Sequence, residues 1–216
     1  MAAKPAYWDQ ATGELARRDR VLKTLVARYP DIHLQRRSDP FTTLARAIVG
    51  QQISVKAADT IWQRFVAAVA PAHRGRAFPR LVPAAVVEAP VAALRACGLS
   101  QRKTEYLSDL AGHFVAGRLD PKQWKKMDDE TLIAALVDVK GIGRWTAEMF
   151  LIFHELRPDV LPVDDIGLQR AVALHYHGGE RVDAAAIRDL AVRWQPWRSV
   201  ATWYLWRSLD PLPVEY

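Results

Sequence analysis

Residues 137–149 read VDVKGIGRWTAEM, and the fold turns on how this stretch is understood. Two glycines, Gly141 and Gly143, stand one residue apart between two runs with helical apolar spacing, and Trp145 follows two residues past the second. Glycines spaced this way mark a backbone that turns sharply or comes close to something. The pattern predicts a helix, a short hairpin and a second helix over about residues 128–154. A turn without side chains lets the backbone approach a phosphate, and the second helix then presents its unpaired N–H groups at its positive end. Lys140 and Arg144 flank the glycines and can each add charge at the same place. Such contacts grip a nucleic-acid backbone without reading its sequence. A plain helical hairpin with a glycine stop fits the same local pattern.

The rest of the chain is helical in nearly every segment. Phe41, Leu44, Ala45, Ile48 and Val49 repeat at three and four after Ser38-Asp39-Pro40 and before Gly50, which predicts one helix. Ser54 can cap the next, whose apolar side includes Ala58, Ile61, Trp62, Phe65, Val66 and Val69. Prolines and basic residues from Pro71 to Pro90 predict a loop with short helices. Ser100 opens a helix through Tyr106, Leu107, Leu110, Phe114 and Val115. Asp128, Asp129 and Glu130 put negative charge at the start of the first hairpin helix, where the macrodipole favours it. A loop ending in Pro162 precedes a helix from Asp164 or Asp165, and a last pattern from about Ala184 to Leu209 is broken by Pro196. Alternation of period two is essentially missing, so an all-α protein is expected.

Composition narrows the function. The 216 residues allow one domain or two small lobes around a real core. A net charge of +6 favours an anionic partner, with nucleic acid foremost. Cys97 is the only cysteine, which excludes a disulfide framework, a thiolate zinc site and a cysteine-held iron–sulfur cluster. No signal peptide is visible and no apolar run approaches ~18 residues, so a cytoplasmic protein is expected, associated with the nucleoid if bacterial. His175 and His177 lie close in sequence without acidic or thiol partners, and read as surface histidines rather than zinc ligands. Eight tryptophans offer either core or faces on which bases stack; the helical spacing of Trp194, Trp197 and Trp203 places them in the core.

At this point four ordered motifs carry a resemblance. LVDVKGIGRWTAEMFLIF (136–153) followed by LPVDDIGLQRAV (161–172) resembles the helix-hairpin-helix, Gly/Pro-rich loop and aspartate signature of the HhH-GPD DNA glycosylase superfamily. AIVGQQISVKAADTIWQRF (47–65), CGLSQRKTEYLSDLA (97–111) and QPWRSVATWYLW (195–206) are similar to its alkylation-repair branch, the 3-methyladenine DNA glycosylase II type. The resemblance spans roughly residues 38–207. It implies two helical lobes with a base-binding cleft between them and the hairpin at its edge. The N-terminal β-containing domain of larger relatives is expected to be absent, leaving one glycosylase domain of two lobes over residues 1–216.

The chemistry this implies is hydrolysis of an N-glycosidic bond. Positive charge develops on the sugar, and a carboxylate near C1′ stabilises it and helps to position or deprotonate water. Both Asp164 and Asp165 follow the loop; the resemblance selects Asp165, because Leu168 and Arg170 stand three and five residues beyond it. Asp164 fits a helix N-cap. Bifunctional relatives have a nucleophilic lysine two residues after the second hairpin glycine, where this chain has Trp145, so a monofunctional enzyme that leaves an abasic site is implied. Alkylated purines such as 3-methyladenine and 7-methylguanine are cationic, and an electron-rich aromatic pocket suits them; alignment with the family offers Trp145 and Trp206, with Met149 at a position where the family often has tyrosine.

The substrate must be flipped from the stack. The turn Gly50-Gln51-Gln52-Ile53 corresponds to the family's wedge loop, with Gln52 at the inserting position. Around the hairpin, Lys140, Gly141, Gly143, Arg144 and Thr146 are the expected DNA contacts. The carbonyls of Val137, Val139 and Ile142 are the implied holders of a structural Na+ or K+, no other cofactor being required. The expected partner is double-stranded DNA with alkylated bases, with no membrane and no obligate protein partner, and nothing requires more than a monomer. Two other readings remain open at this level: a non-catalytic hairpin protein that binds or senses DNA structure, and a glycosylase for deaminated or etheno-adducted purines.

Overall fold

The computed structural model describes residues 4–36, 38–76 and 79–209, and among these there are helices and turns but no strand. The chain divides into two compact units, one drawn from residues 1–36 and 151–216 and the other from residues 37–150.

The second unit begins with α3 (Pro40–Gly50), after the first unit's α1 (Trp8–Arg18) and α2 (Arg20–Arg28). Asp39 caps α3 by accepting from Thr42 N–H, and Pro40 sits at the first helical position, where a missing N–H costs nothing. Ser54 caps α4 (Val55–Val69). A 3-10 turn at Pro71–His73 and the short helices α5 (Pro83–Glu88) and α6 (Val91–Ala96) occupy the proline-rich stretch. Ser100 caps α7 (Gln101–Val115), which packs against α3 and α5 and buries Leu107, Leu110 and Ala111. After α8 (Pro121–Trp124), Asp128 accepts from Thr131 N–H at 2.7 Å and starts α9 (Asp129–Val137). The hairpin turn leads to α10 (Arg144–Phe153), which begins in this unit and ends in the other. The core of the unit includes Phe41, Leu44, Ile48, Phe65, Trp124, Leu132 and Leu136, all buried.

In the first unit, α11 (Ile166–Tyr176), α12 (Ala184–Ala191) and α13 (Arg198–Leu209) join α1 and α2. α13 is buried without a break from Ser199 to Leu205, and again at Arg207, as expected of a helix enclosed on all sides. Trp194, Trp197 and Trp203 are buried as their spacing predicts, and so is Tyr204. The two N-terminal helices leave no mark in the sequence reading, yet their junction holds a buried carboxylate. Asp19 Oδ1 accepts from Val21 N–H, Leu22 N–H and the Tyr176 hydroxyl, and Oδ2 from Trp194 Nε1–H. Burying a charge is tolerated because every donor is supplied by the fold.

One helix start, which the sequence leaves open between two aspartates, falls to the second. Asp165, not Asp164, caps α11, accepting from Leu168 N–H at 2.7 Å. An N-cap accepts from the N–H two or three residues on, as Asp165 does, and Asp164 is exposed at the loop's end.

His154 gives this unit an acid sensitivity. Burial, with Arg36 second, pushes its pKa from the ordinary 6.5 down to about 3, so the folded ring stays neutral. Below about pH 6.5 the unfolded chain binds a proton that the folded chain refuses, so stability falls as pH drops toward 3, by up to about 1.4 kcal/mol per pH unit. Thermal melting between pH 7 and 4 should show this slope flattened in His154→Gln.

Candidate active site

In the second unit, the two glycines have different physical reasons. Gly141 has φ +83°, and a Cβ added there would lie 2.1 Å from Cδ2 of Tyr106; the turn is left-handed and pressed against a ring. Gly143 has nothing within 4 Å of such a Cβ, so neither packing nor conformation demands glycine. Its bare backbone is exposed at the start of α10, where a helix offers N–H groups without intrahelical partners.

The charges around it are unequal. Arg144 is held in a fork by Glu130 at 2.6 and 2.9 Å, and its Nε donates to Glu148 Oε1 at 2.9 Å. Glu130, then Glu148, keeps its pKa above the usual arginine range. Arg144 is thus engaged by two carboxyl groups while remaining exposed, and Lys140 is exposed beside the turn. Its backbone N–H donates to Asp109 Oδ2 at 2.9 Å. Thr146 is half-buried in the first turn of α10. On the same helix Trp145 is 41% exposed and Met149 is buried.

The loop after α3 is set against this turn. Gln51 Nε2 donates to Gly141 O at 2.8 Å. Gln52 follows with φ +56° and is exposed. A non-glycine residue held in that region costs energy and points to function. The hairpin carbonyls are an oxygen-only donor set, suited to a hard cation. Val139 O accepts from Ile142 N–H at 3.1 Å, which uses one of its two lone pairs. Among the described residues no group of three His, Cys, Asp or Glu could hold a metal ion. His177 is exposed as expected, whereas His175 is half-buried against the Ser208 hydroxyl, 2.7 Å away.

In the first unit, the structure brings together Asp165 and Trp206. Asp165 is 7% exposed, and its Oδ1 accepts from Leu168 N–H at 2.7 Å and from Trp206 Nε1–H at 2.8 Å. Capping and indole donation fall on one oxygen, which fixes the plane of the carboxylate. Trp206 in turn stacks on Phe153, with centroids 5.6 Å apart and planes within 10°. Gly167 makes the approach possible. A Cβ there would stand 3.0 Å from both Asp165 Oδ1 and Trp206 Cδ1. Neither Phe153 nor Gly167 is singled out by the sequence reading; a glycine in a first helical turn, two residues past an aspartate, is the signal that was there to read.

This arrangement has counterparts. Residues 45–196 match the family model described as the HhH-GPD superfamily base excision DNA repair protein. The chain is 32% identical over 188 residues to DNA-3-methyladenine glycosylase 1 of Schizosaccharomyces pombe, covering 87% of this chain and 80% of that protein. The structure of the fission-yeast 3-methyladenine DNA glycosylase in complex with abasic DNA superposes with a TM-score of 0.78 at 29% identity, covering 95% of this chain and all of that one. A DNA-3-methyladenine glycosidase from Bacillus halodurans superposes with a TM-score of 0.74 at 34% identity, over 88% of each chain. The chain belongs to the HhH-GPD superfamily of base excision DNA repair proteins.

Proposed function

We propose that the chain is a monofunctional DNA glycosylase that removes alkylated purines, 3-methyladenine and 7-methylguanine, from double-stranded DNA and leaves an abasic site. The observation that carries this is the oriented carboxylate of Asp165, held by Leu168 N–H and Trp206 Nε1–H; a module that only binds DNA needs the helix cap but not the indole that aims the carboxylate. The relatives named above are 3-methyladenine glycosylases, which supports the substrate class.

The residues suit the reaction step by step. The hairpin grips the backbone through Gly143, Lys140 and the start of α10. Gln52 fills the gap that the flipped nucleotide leaves, its amide able to pair with the orphaned base. An N-alkylated purine carries positive charge, so when the bond from C1′ breaks, its electron pair leaves with the base, which departs neutral and needs no acid. The sugar becomes oxocarbenium-like, and the Asp165 carboxylate stabilises that charge. Water then adds to C1′ and its proton passes to Asp165 or solvent. The faces of Trp206 and Trp145 are aromatic surfaces on which a cationic base can stack. Trp145 occupies the position of the lyase lysine and cannot form a Schiff base, so the strand stays intact. The carbonyls of Val137, Val139 and Ile142 would hold a Na+ or K+, whose charge would draw the turn's oxygens together, and the protein acts as a monomer without a protein partner.

Methylated duplex DNA tests the reading. Free 3-methyladenine or 7-methylguanine should be released, with strand breaks appearing only after alkali. Breaks without alkali would overturn the monofunctional assignment. DNA binding without release, from etheno and deaminated substrates as well, would leave a non-catalytic binding protein.

A further inference from the structure

The stretch CGLSQRKTEYLSDLA (97–111) is used neither by the chemistry nor by the grip on DNA described above. In the structure it forms most of α7, and one face of that helix reaches both DNA-facing elements of its unit. Lys103 Nζ donates to Val49 O and to Gln51 O, each at 2.8 Å. The ring of Tyr106 lies against Gly141. Asp109 Oδ2 accepts from Lys140 N–H at 2.9 Å, and His113 Nε2 lies 3.0 Å from Asp138 Oδ2. Positions 103, 106, 109 or 110, and 113 fall on one side of a helix. The first thus holds the loop after α3, and the next three hold the hairpin turn.

The two carbonyls that Lys103 takes are informative. Val49 O lies in the last turn of α3, where a cation meets the negative end of the dipole. Gln51 O belongs to the peptide immediately before Gln52, whose φ of +56° is the unfavourable one. Lysine is a costly residue to withdraw from water, and burial does lower its pKa here. An uncharged cap would fill the place at less cost if closing α3 were the only need. We propose that Lys103 is the positioning residue of the wedge: from α7 it clamps the peptides around Gln51, holds Gln52 in its left-handed conformation, and keeps it in fixed register with the hairpin.

This rests on the reading of Gln52 as the inserting residue, and its test needs no excision. The probe is a duplex with a tetrahydrofuran abasic-site analogue and 2-aminopurine in the opposite strand, whose fluorescence reports filling of the gap. Lys103→Met should slow the Gln52-dependent signal roughly tenfold through loss of two charge-assisted bonds. In a Gln52→Ala background the same change should add less than about twofold, because the two act through one element. Lys103→Arg, which can still donate to both carbonyls, should restore part of the rate. Affinity for undamaged duplex and its salt slope should not change; a phosphate-binding lysine would instead lower the slope by about one.

Additive losses in the double variant, or a fall in the salt slope, would overturn the proposal. If Lys103→Met does not fold, Lys103→Gln, which keeps one donor group, takes its place in the same cycle. A parent protein that fills the gap but frees no base would sink the glycosylase reading and leave this one standing. A parent giving no Gln52-dependent signal would sink the wedge and this proposal with it.

Discussion

Asp165→Asn should leave the fold and lesion binding intact while excision falls by about 10²–10³-fold, the usual cost of removing one electrostatic stabiliser of a transition state. The substitution isolates charge from structure. Asparagine caps a helix about as well as aspartate, and its amide oxygen can still accept from Leu168 N–H and Trp206 Nε1–H, so α11 and the indole stay in place. What disappears is the negative charge facing the developing cation. Asp165→Ala removes both, and should also lose about 1 kcal/mol of stability with the cap. Single-turnover base release set beside thermal melting separates the two effects. Equal excision by Asp165→Asn and the parent would refute the catalytic assignment.

The hairpin glycines should respond in opposite ways. Gly141→Ala puts a methyl 2.1 Å from a carbon of Tyr106 at a residue with φ +83°. The left-handed conformation costs about 1–2 kcal/mol and the overpacking about 1–3, a visible drop in melting temperature. Gly143→Ala meets nothing and should stay within about 0.5 kcal/mol of the parent. Gly143→Lys should also fold, yet bind all DNA sequences more weakly, because its side chain occupies the space that a phosphate needs. Unchanged affinity in Gly143→Lys would remove Gly143 from the DNA contact.

These two glycines show what sequence could and could not convey. Their spacing marks the hairpin, since a turn between two helices is a local matter. The helix starts at Asp39, Ser54, Ser100 and Asp128 were equally open to reading, because a cap acts within three residues. That Gly141 is pressed against a ring on α7 while Gly143 meets nothing was not legible, for Tyr106 lies 35 positions away in the chain. The pairing of Asp165 with Trp206, 41 residues apart, came from family resemblance only as two separate candidates. Glu148, one turn on from Arg144, is a local partner, whereas nothing local shows that Glu130, fourteen positions back, also reaches it. Lys103 was passed over for a related reason: helical periodicity draws the eye to apolar positions, and its partners are backbone carbonyls, which carry no residue type.

Asp19 has an implication for the order in which the molecule is made. Its carboxylate is laid down early, while two of its donors, Tyr176 and Trp194, lie 157 and 175 residues further along. The 37–150 unit, by contrast, is contiguous in the chain. On the ribosome, the unit with the hairpin therefore has all its parts while the unit with Asp165 is still waiting for its last helix. A nascent chain released before Tyr176 would carry the whole hairpin unit, together with an aspartate deprived of two of its partners.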